Sequence, residues 1–166
     1  ANDVALPIHF HLSGGMHSIA FTDWQRPAAV AVSPMQLDEA LVGMLFSGIF
    51  ERYPRVRLVL GESGLGWMPY LIDRMDHEFH KYRDATEGRL TRTPSEMFRE
   101  HVFLTYEEDN IGLAYLEHLG ADNVMYGSDY PHTIGDPVGC MARVNALYGA
   151  RREKVRGGNA QRIFKF

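Results

Sequence analysis

The sequence predicts an α/β fold built on parallel strands, and three observations lead to that prediction. Four short apolar runs, at residues 6–11, 56–60, 102–106 and 123–126, have the length of buried strands. Each run is followed by a segment whose apolar residues keep helical spacing, and each ends in polar residues or glycine. Strands that alternate with helices pair in parallel, because the helix returns the chain to the same end of the sheet.

The connection after the first strand is predicted to be a loop followed by a long helix. The loop carries Trp24 and Pro27. Ser33 and Pro34 have the residue types of a helix N-cap and a first-turn proline, so the helix is expected to start there. Apolar side chains at helical spacing continue it to about Arg52, and the next proline ends it.

The other connections are also predicted to be helical. A helix is predicted from Pro69 to about Phe79, and the polar residues 83–92 are predicted to form a loop. Thr93 and Glu96 have the spacing of a capping box, which predicts a helix before the third strand. Further helices are predicted over residues 110–119, 138–148 and 151–156, with a final helical turn from residue 159.

The length of the chain suits a single α/β domain over residues 1–166. Four strand-and-helix units are too few to close an eight-stranded barrel, which needs about 250 residues. The pattern therefore leaves two architectures open, a small open sheet and one half of a larger barrel. The chain lacks an initiator Met and enters a strand almost at once, so we expect a fragment or a processed product.

Composition argues against several classes of partner. The net charge of −4 provides no basic surface for nucleic acid. No uninterrupted apolar run reaches about 18 residues, so no membrane partner is expected. The single cysteine, Cys140, cannot form an internal disulfide and fits a reducing compartment, which predicts a cytoplasmic location.

The segment from Asn123 to His132 is the most informative part of the sequence. Its apolar start predicts a buried strand, and Asp129 follows the carboxyl end of that strand. Parallel α/β folds carry their chemistry at this end of the sheet. A carboxylate with a histidine nearby could hold a divalent metal or carry a proton. An Asp at this position is equally typical of a turn or a helix cap.

Two histidines lie two residues apart in the first predicted strand. His9 and His11 therefore share one face of that strand, and His11 is nearer its carboxyl end. Paired imidazoles of this kind can bind zinc. A hydrogen-bonded core histidine is the competing interpretation, and for His9 it is the favoured one.

Acidic residues follow the second and third predicted strands. Glu62 lies just beyond the second strand, near Trp67 and several glycines, where burial could raise its pKa and make it a general base. A surface Glu that accepts backbone N–H groups is the alternative. The third strand ends in Glu107, Glu108 and Asp109; Asp109 is expected to cap a helix, and at most one of the three to face a site.

The glycine-rich turn after the second strand partly matches two further motifs. Its glycines at positions 61, 64 and 66 depart from the dinucleotide-binding spacing, and Ser63 lacks the second glycine of a nucleophile elbow. A phosphate-binding open sheet that uses this turn is a third possible function.

Together these segments resemble the amidohydrolase superfamily, and most of all its branch of metal-dependent decarboxylases related to aminocarboxymuconate semialdehyde and resorcylate decarboxylases. Residues 6–11, 53–60, 126–131 and 159–164 are similar to the fifth, sixth and eighth strands and the closing segment of that family's barrel. The resemblance covers nearly the whole chain. It implies a (β/α)8 TIM-barrel fold, of which this chain forms the C-terminal half with four β/α units.

The resemblance also implies roles for individual residues. It assigns metal binding to His11 and Asp129, and proton transfer to Asp129 or Glu62. The metal would be divalent, with zinc expected and manganese as the alternative. By position, the substrate pocket would be lined by His9, Trp67, Tyr130 and His132.

The chain departs from the family pattern in two places. The family usually has a histidine at the end of its sixth strand, where this chain has Glu62. The H-x-H of the family's first strand has no counterpart before Leu6. Zinc sites need three or four protein ligands, so further ligands are expected from outside this chain.

These features lead us to expect a metal-dependent enzyme acting on a small carboxylated substrate, by hydrolysis or by non-oxidative decarboxylation. A homo-oligomer or a missing N-terminal half would complete the barrel. The alternative is a non-catalytic half-barrel remnant that pairs with itself or with another chain through its exposed sheet edges.

Overall fold

Four parallel strands form one sheet in the computed structural model of the chain, which describes residues 1–12, 19, 22–132 and 135–166. The strands follow one another in sequence order, and each neighbouring pair is parallel. The predicted parallel α/β fold is therefore confirmed. The strands are β1 (Ile8–His11), β2 (Leu58–Gly61), β3 (Val102–Tyr106) and β4 (Val124–Tyr126).

The register of the strands determines which side chains share a face of the sheet. His11 pairs with Gly61, and Leu60 pairs with Leu104. Since successive residues of a strand point to opposite sides, the sheet has a helix-covered outer face and an inner face. The outer face carries Leu58, Leu60, Val102, Leu104, Tyr106 and Val124, all fully buried. The inner face carries His9, His11, Val59, Gly61, Phe103, Thr105 and Met125.

The main hydrophobic core lies between the outer face and the helices. Helix residues of this core include Leu41, Leu45, Met68, Phe98 and Val144, which are 0–1% exposed. The helices in the described part of the chain are α1 (Arg26–Val32), α2 (Asp38–Phe46), α3 (Ile49–Arg52), α4 (Met68–Lys81), α5 (Arg83–Thr86), α6 (Pro94–His101), α7 (Asn110–Ala114), α8 (Leu116–Leu119), α9 (Pro137–Asn145), α10 (Gly149–Glu153) and α11 (Asn159–Phe164).

The predicted connection between β1 and β2 is wrong in its first half. Pro27 lies in the first turn of α1 and not in a loop, a position where its missing N–H removes no helical hydrogen bond. The Ser33 hydroxyl does not cap a helix start; it donates to the Val30 carbonyl at 2.8 Å. A 3-10 turn (Ser33–Leu37) then leads into α2, and Gly48, with φ 73°, separates α2 from α3.

Three other predicted segments differ in detail, and one is confirmed. The polar segment predicted as a loop contains the single turn α5, and the predicted helix 110–119 is divided into α7 and α8 at Tyr115. Apolar spacing continues across Tyr115, so the pattern does not reveal the break. The predicted helix over residues 151–156 also differs, because α10 ends at Glu153 and a π-helical turn (Lys154–Gly158) follows it. The capping box of Thr93 and Glu96 is present as predicted, with both reciprocal hydrogen bonds.

One segment of the described chain, Arg26–Phe46, is long and apolar enough by composition to cross a membrane. Asp38 and Glu39 are the charged residues within its apolar part, so the segment meets a criterion of length and composition although it is not an uninterrupted apolar run. Within the fold, Leu41 and Leu45 of this segment are fully buried in the core, which identifies its second half as a packed helix. A cytoplasmic location without a membrane partner remains a prediction.

The C-terminal helix α11 packs on the inner face of the sheet. Ile163 forms a small second core with Val59, Phe103 and Met125. Asn159 connects this helix to the end of the sheet, because its Nδ2 donates to the carbonyls of Ala121 and Val124, both at 2.7 Å. The helix therefore covers part of the inner face, while His9 and His11 remain exposed.

We predict that Asn159→Ala destabilises the chain by about 2–3 kcal/mol, because it leaves two carbonyls without their donor at a buried position. Urea unfolding followed by circular dichroism measures this loss. Gln161→Ala, an exposed substitution on the same helix, is the matched control and should change the free energy of unfolding by less than about 0.5 kcal/mol. Equal stabilities of the two variants would contradict the prediction.

Candidate active site

A pocket of about 550 Å³ opens at the carboxyl ends of the strands. It lies between the loops that follow the strands and the segment formed by α1 and the 3-10 turn. Its volume is typical of small-molecule sites. The apolar lining consists of Leu12, Val30, Ala31, Pro34, Met35 and Trp67, and the acidic lining consists of Glu62, Glu107, Glu108, Asp109, Asp129 and Asp136.

His11 and Glu62 come from neighbouring strand ends and form a direct pair. Nε2 of His11 lies 3.0 Å from Oε1 of Glu62, and Nδ1 lies 2.8 Å from the Leu12 carbonyl. The hydrogen bond to Leu12 and the Glu62 carboxylate raise the pKa of His11. Because Nδ1 donates to the Leu12 carbonyl, Nε2 is the nitrogen that faces Glu62, and in the protonated form of His11 it donates to that carboxylate.

Glu107 extends the inner face beyond the end of β3. It continues the alternation that assigns Phe103 and Thr105 to this face. Burial, followed by the carboxylates of Glu62 and Asp129, raises the pKa of Glu107 to about 7. Its carboxyl group can therefore hold a proton at neutral pH. All three acids after β3 line the pocket, so the expectation that at most one of them faces a site is wrong. The loop that follows β3 turns along the pocket, and strand alternation alone does not separate Glu107 from Asp109.

Asp129 and His132 form a second pair on the pocket. Oδ2 of Asp129 lies 2.8 Å from Nδ1 of His132, and the Asp129 side chain is only 19% exposed. Asp129 and Glu62 both have a left-handed backbone, with φ 50°. Non-glycine residues seldom adopt this conformation, and it occurs preferentially at functional sites.

The two pairs lie towards opposite edges of the sheet. Glu62, Asp129 and His132 line the pocket, whereas His11 is not among the lining residues and contacts the pocket through Glu62. Strands β1 and β4 are separated by three strand spacings, about 14 Å in a flat sheet. Glu107 lies between them and interacts electrostatically with both His11 and Asp129. Gly127 provides room for this carboxyl group, since a Cβ there would lie 3.2 Å from Oε1 of Glu107. These side chains therefore lie at the carboxyl end of the sheet, and a metal site shared by His11 and Asp129 stays a prediction.

Asp109 supports the loop that carries Glu62. It accepts hydrogen bonds from the backbone N–H groups of Leu65 (2.6 Å) and Gly66, and from that of Gly112 (2.8 Å), which confirms its predicted role as a helix cap. The amides of this turn are therefore already bonded to a carboxylate. This arrangement disfavours the phosphate-binding alternative, which needs those N–H groups free.

The four residues predicted to line the substrate pocket are placed differently from one another. Trp67 and His132 line it, and the Trp67 indole is oriented by donating to the Ser63 carbonyl at 2.7 Å. Tyr130 is 79% exposed and is not among the lining residues. Since its side chain is exposed to solvent and lies outside the lining, a substrate contact by Tyr130 within this half is not supported.

His9 lies on the inner face below His11 and does not line the pocket. Its imidazole occupies the space above Gly61, where a Cβ would lie 2.5 Å from Nε2 of His9. Partial burial, with a smaller effect of His11, lowers the pKa of His9. The ring is therefore neutral near pH 7 and faces the side of the sheet that the rest of a barrel would cover.

The donor set suits a divalent cation only in part. Within residues 1–12, 19, 22–132 and 135–166, no three His, Cys, Asp or Glu side chains are grouped closely enough to enclose an ion. His11 and Asp129 nevertheless have the ligand chemistry, and Glu62 and Glu107 add negative charge beside them. These residues therefore have the chemistry of part of a metal centre, which would need further ligands.

We predict that Glu107→Gln stabilises the metal-free chain at alkaline pH. The folded state retains the Glu107 proton up to about pH 7, whereas the unfolded chain releases it near pH 4.5, so parent stability falls as the pH rises through this interval. The variant removes the buried charge and should gain about 1–2 kcal/mol at pH 8 but little at pH 4. Urea titrations at both pH values measure the difference, and an equal gain at pH 4 would refute it.

Comparison with known proteins identifies the architecture. The family model described as "Amidohydrolase" matches residues 1–166. A gamma-resorcylate decarboxylase from Polaromonas sp. (strain JS666 / ATCC BAA-500) is 29% identical over 126 residues, which are 74% of this chain and 38% of that protein. The 5-carboxyvanillate decarboxylase structure from Sphingomonas paucimobilis is 30% identical with a TM-score of 0.77, covering 99% of this chain and 51% of that one.

A third similarity concerns the fold and a bound metal. Dihydroxybenzoic acid decarboxylase from Polaromonas sp. JS666 is 18% identical with a TM-score of 0.74, covers 99% of this chain and 51% of that one, and was solved with manganese and the inhibitor 2-nitroresorcinol. This chain thus spans about half the length of the solved structures it matches. Its four β/α units have the fold of half a TIM barrel, and the chain belongs to the amidohydrolase family.

Proposed function

We propose that this chain supplies the C-terminal half of the active site of a metal-dependent decarboxylase acting on a small carboxylated substrate. The observation that carries the proposal is the meeting of Glu62, Glu107 and the Asp129–His132 pair at one pocket, with His11 bonded to Glu62 at its edge. Gamma-resorcylate decarboxylase and 5-carboxyvanillate decarboxylase are both similar to this chain, which favours decarboxylation over hydrolysis.

His11, through Nε2, and Asp129 would hold the metal. A divalent ion would supply positive charge that binds the substrate carboxylate and stabilises developing negative charge. Manganese in the Polaromonas decarboxylase structure supports manganese, and zinc is the alternative. His132 would orient the Asp129 carboxylate through its 2.8 Å hydrogen bond.

The chain's own residues would bind the substrate and move the proton. The apolar lining would hold the substrate ring and exclude water from the reacting carbon. Decarboxylation breaks the bond between that carbon and its carboxylate, releases carbon dioxide and leaves an electron pair that must accept a proton. Glu62 or Asp129 would deliver this proton from a carboxyl oxygen at the strand ends.

The metal assignment predicts the effect of two substitutions in the enzyme with a complete barrel. His11→Ala and Asp129→Asn should each lower turnover at least about 100-fold and reduce bound metal, because each removes a ligand. Turnover is measured as carbon dioxide release, and metal content by elemental analysis.

The matched controls are His77→Ala and Asp73→Asn, which make the same chemical changes at exposed positions of α4. Both controls should retain parental turnover and metal content. Full activity in either the His11 or the Asp129 variant would remove that residue from the metal centre.

The sheet edges support the further proposal that a complementary half-barrel completes the site. Within the described residues, β1 and β4 each pair on one side only, and His9 and His11 face an uncovered inner face. Unpaired strand edges and exposed inner residues favour association. Non-catalytic pairing of two half-barrels is the second candidate function, and the same exposed surfaces favour it.

We predict that the 166-residue chain on its own self-associates in sedimentation experiments and binds manganese only weakly, because it offers two metal ligands. A stable monomer would contradict the open-face argument. A metal-free dimer supports the non-catalytic alternative if the enzyme with a complete barrel is also inactive.

A further inference from the structure

One carboxylate joins the two loops that follow β2 and β3. Oδ2 of Asp109 accepts the backbone N–H groups of Leu65 and Gly66, and Oδ1 accepts that of Gly112 at 2.8 Å. Leu65 and Gly66 belong to the turn before α4, whereas Gly112 lies in the first turn of α7. A carboxylate offers about four acceptor positions, so the protein's own backbone occupies most of them. Asp109 therefore retains little capacity to bind a ligand, although it lines the pocket.

Two glycines allow the loops to approach closely enough for these bonds. A Cβ at Gly112 would overlap Cβ of Leu65, and a Cβ at Gly66 would lie 3.1 Å from both carboxylate oxygens of Asp109. A side chain at either glycine would therefore separate the loops or displace the carboxylate. The junction thus depends on the acceptor at Asp109 and on the small residues opposite it.

The turn that Asp109 holds carries Glu62 at its start. This turn is closed internally, because the Trp67 indole N–H donates to the Ser63 carbonyl at 2.7 Å. Since the turn is short and internally bonded, its attachment at Leu65 constrains the position of Glu62. Glu62 itself has φ 50°, a conformation that a non-glycine residue keeps only when the surrounding contacts impose it.

We propose that Asp109 is a positioning residue for Glu62 and holds its carboxyl group where it delivers the proton. This inference rests on the proposed function, in which the reacting carbon loses carbon dioxide and retains an electron pair. The proton passes from a Glu62 oxygen to that electron pair, and Glu62 is left as a carboxylate. Proton transfer requires hydrogen-bond distance, so a small displacement of the donor lowers its rate steeply. Loss of the Asp109 contact should therefore lower kcat and leave KM nearly unchanged.

Asp109→Asn separates the two contacts of this carboxylate. The amide oxygen of Asn can still accept the Gly112 N–H, because Asn caps helices about as well as Asp does. Its NH2 group would then face the N–H groups of Leu65 and Gly66, and donors cannot bond to one another. The variant is therefore expected to retain the start of α7 and to release the turn.

Asp76→Asn is the matched control. Asp76 also accepts a backbone N–H from another helix, that of Ser95 at 2.9 Å, and it is not among the pocket-lining residues. Amide hydrogen exchange in the enzyme with a complete barrel measures release of the turn. In Asp109→Asn, residues 62–68 should exchange at least about tenfold faster, and residues 110–114 should keep parental protection. Asp76→Asn should leave the exchange of both segments unchanged.

Turnover is measured as carbon dioxide release, with gamma-resorcylate and 5-carboxyvanillate as the probe compounds. Asp109→Asn should lower kcat at least about tenfold and change KM less than about threefold, whereas Asp76→Asn should retain both values. A double-mutant cycle with Glu62→Gln tests whether the effect passes through Glu62. In the Glu62→Gln background, Asp109→Asn should lower kcat less than about twofold.

Gly112→Ala provides a second, independent variant. It keeps the Asp109 carboxylate and introduces a better helix former into α7, but its Cβ pushes against Leu65. It should lower kcat in the same direction as Asp109→Asn and accelerate exchange in residues 62–68.

The exchange data and the cycle decide the inference, and turnover of the parent enzyme decides the proposed function. Parental exchange in the turn, parental kcat in Asp109→Asn, or an equal loss of kcat with and without the Glu62 carboxyl group would overturn the inference. A raised KM with parental kcat would make Asp109 a substrate ligand and would overturn it as well. If the parent enzyme releases carbon dioxide from neither compound, the proposed function is refuted, while faster exchange in Asp109→Asn still supports control of the Glu62 turn by Asp109.

Discussion

In-register parallel pairing of the four strands is the constraint on which the candidate site depends. Because side chains alternate along each strand, the pairing of His11 with Gly61 and of Thr105 with Met125 assigns one set of residues to the inner face. Parallel strands also end at the same side of the sheet, so the acids that follow them meet there. A one-residue slip of β3 would turn Glu107 to the outer face and direct the buried Tyr106 towards the pocket.

The loops beyond the strands are held by polar contacts that compensate an unfavourable backbone. A left-handed conformation at a non-glycine residue costs on the order of 1 kcal/mol or more, and both Glu62 and Asp129 adopt it. The Asp109 carboxylate fixes the turn after Glu62, and His132 is bonded to Asp129. The polar network thus maintains two acids in orientations that the isolated segments would not favour.

The sequence predicts those elements whose signals lie within a few neighbouring residues. It does not predict conformations that depend on contacts between distant parts of the chain. Apolar runs marked the four strands, and the Thr93–Glu96 spacing marked a capped helix. Ser33 was misassigned because a serine hydroxyl can cap the next helix or bond the preceding turn, and only the packed chain selects between them. The sequence does not separate Glu107 from the two acids beside it, because its raised pKa depends on burial and on carboxylates from other strands. The exposure of Tyr130 likewise depends on the loop after β4, which no local pattern specifies.

The clearance above Gly61 links two positions that are far apart in the chain. Any side chain at position 61 would collide with the His9 imidazole, so a substitution there forces the histidine to move. The effects of substitutions at the two positions on stability should therefore be non-additive. A smaller residue at position 9 should make room for a side chain at position 61. In a directed-evolution library these positions should be randomised as a pair, since single-site variation would discard combinations that fit.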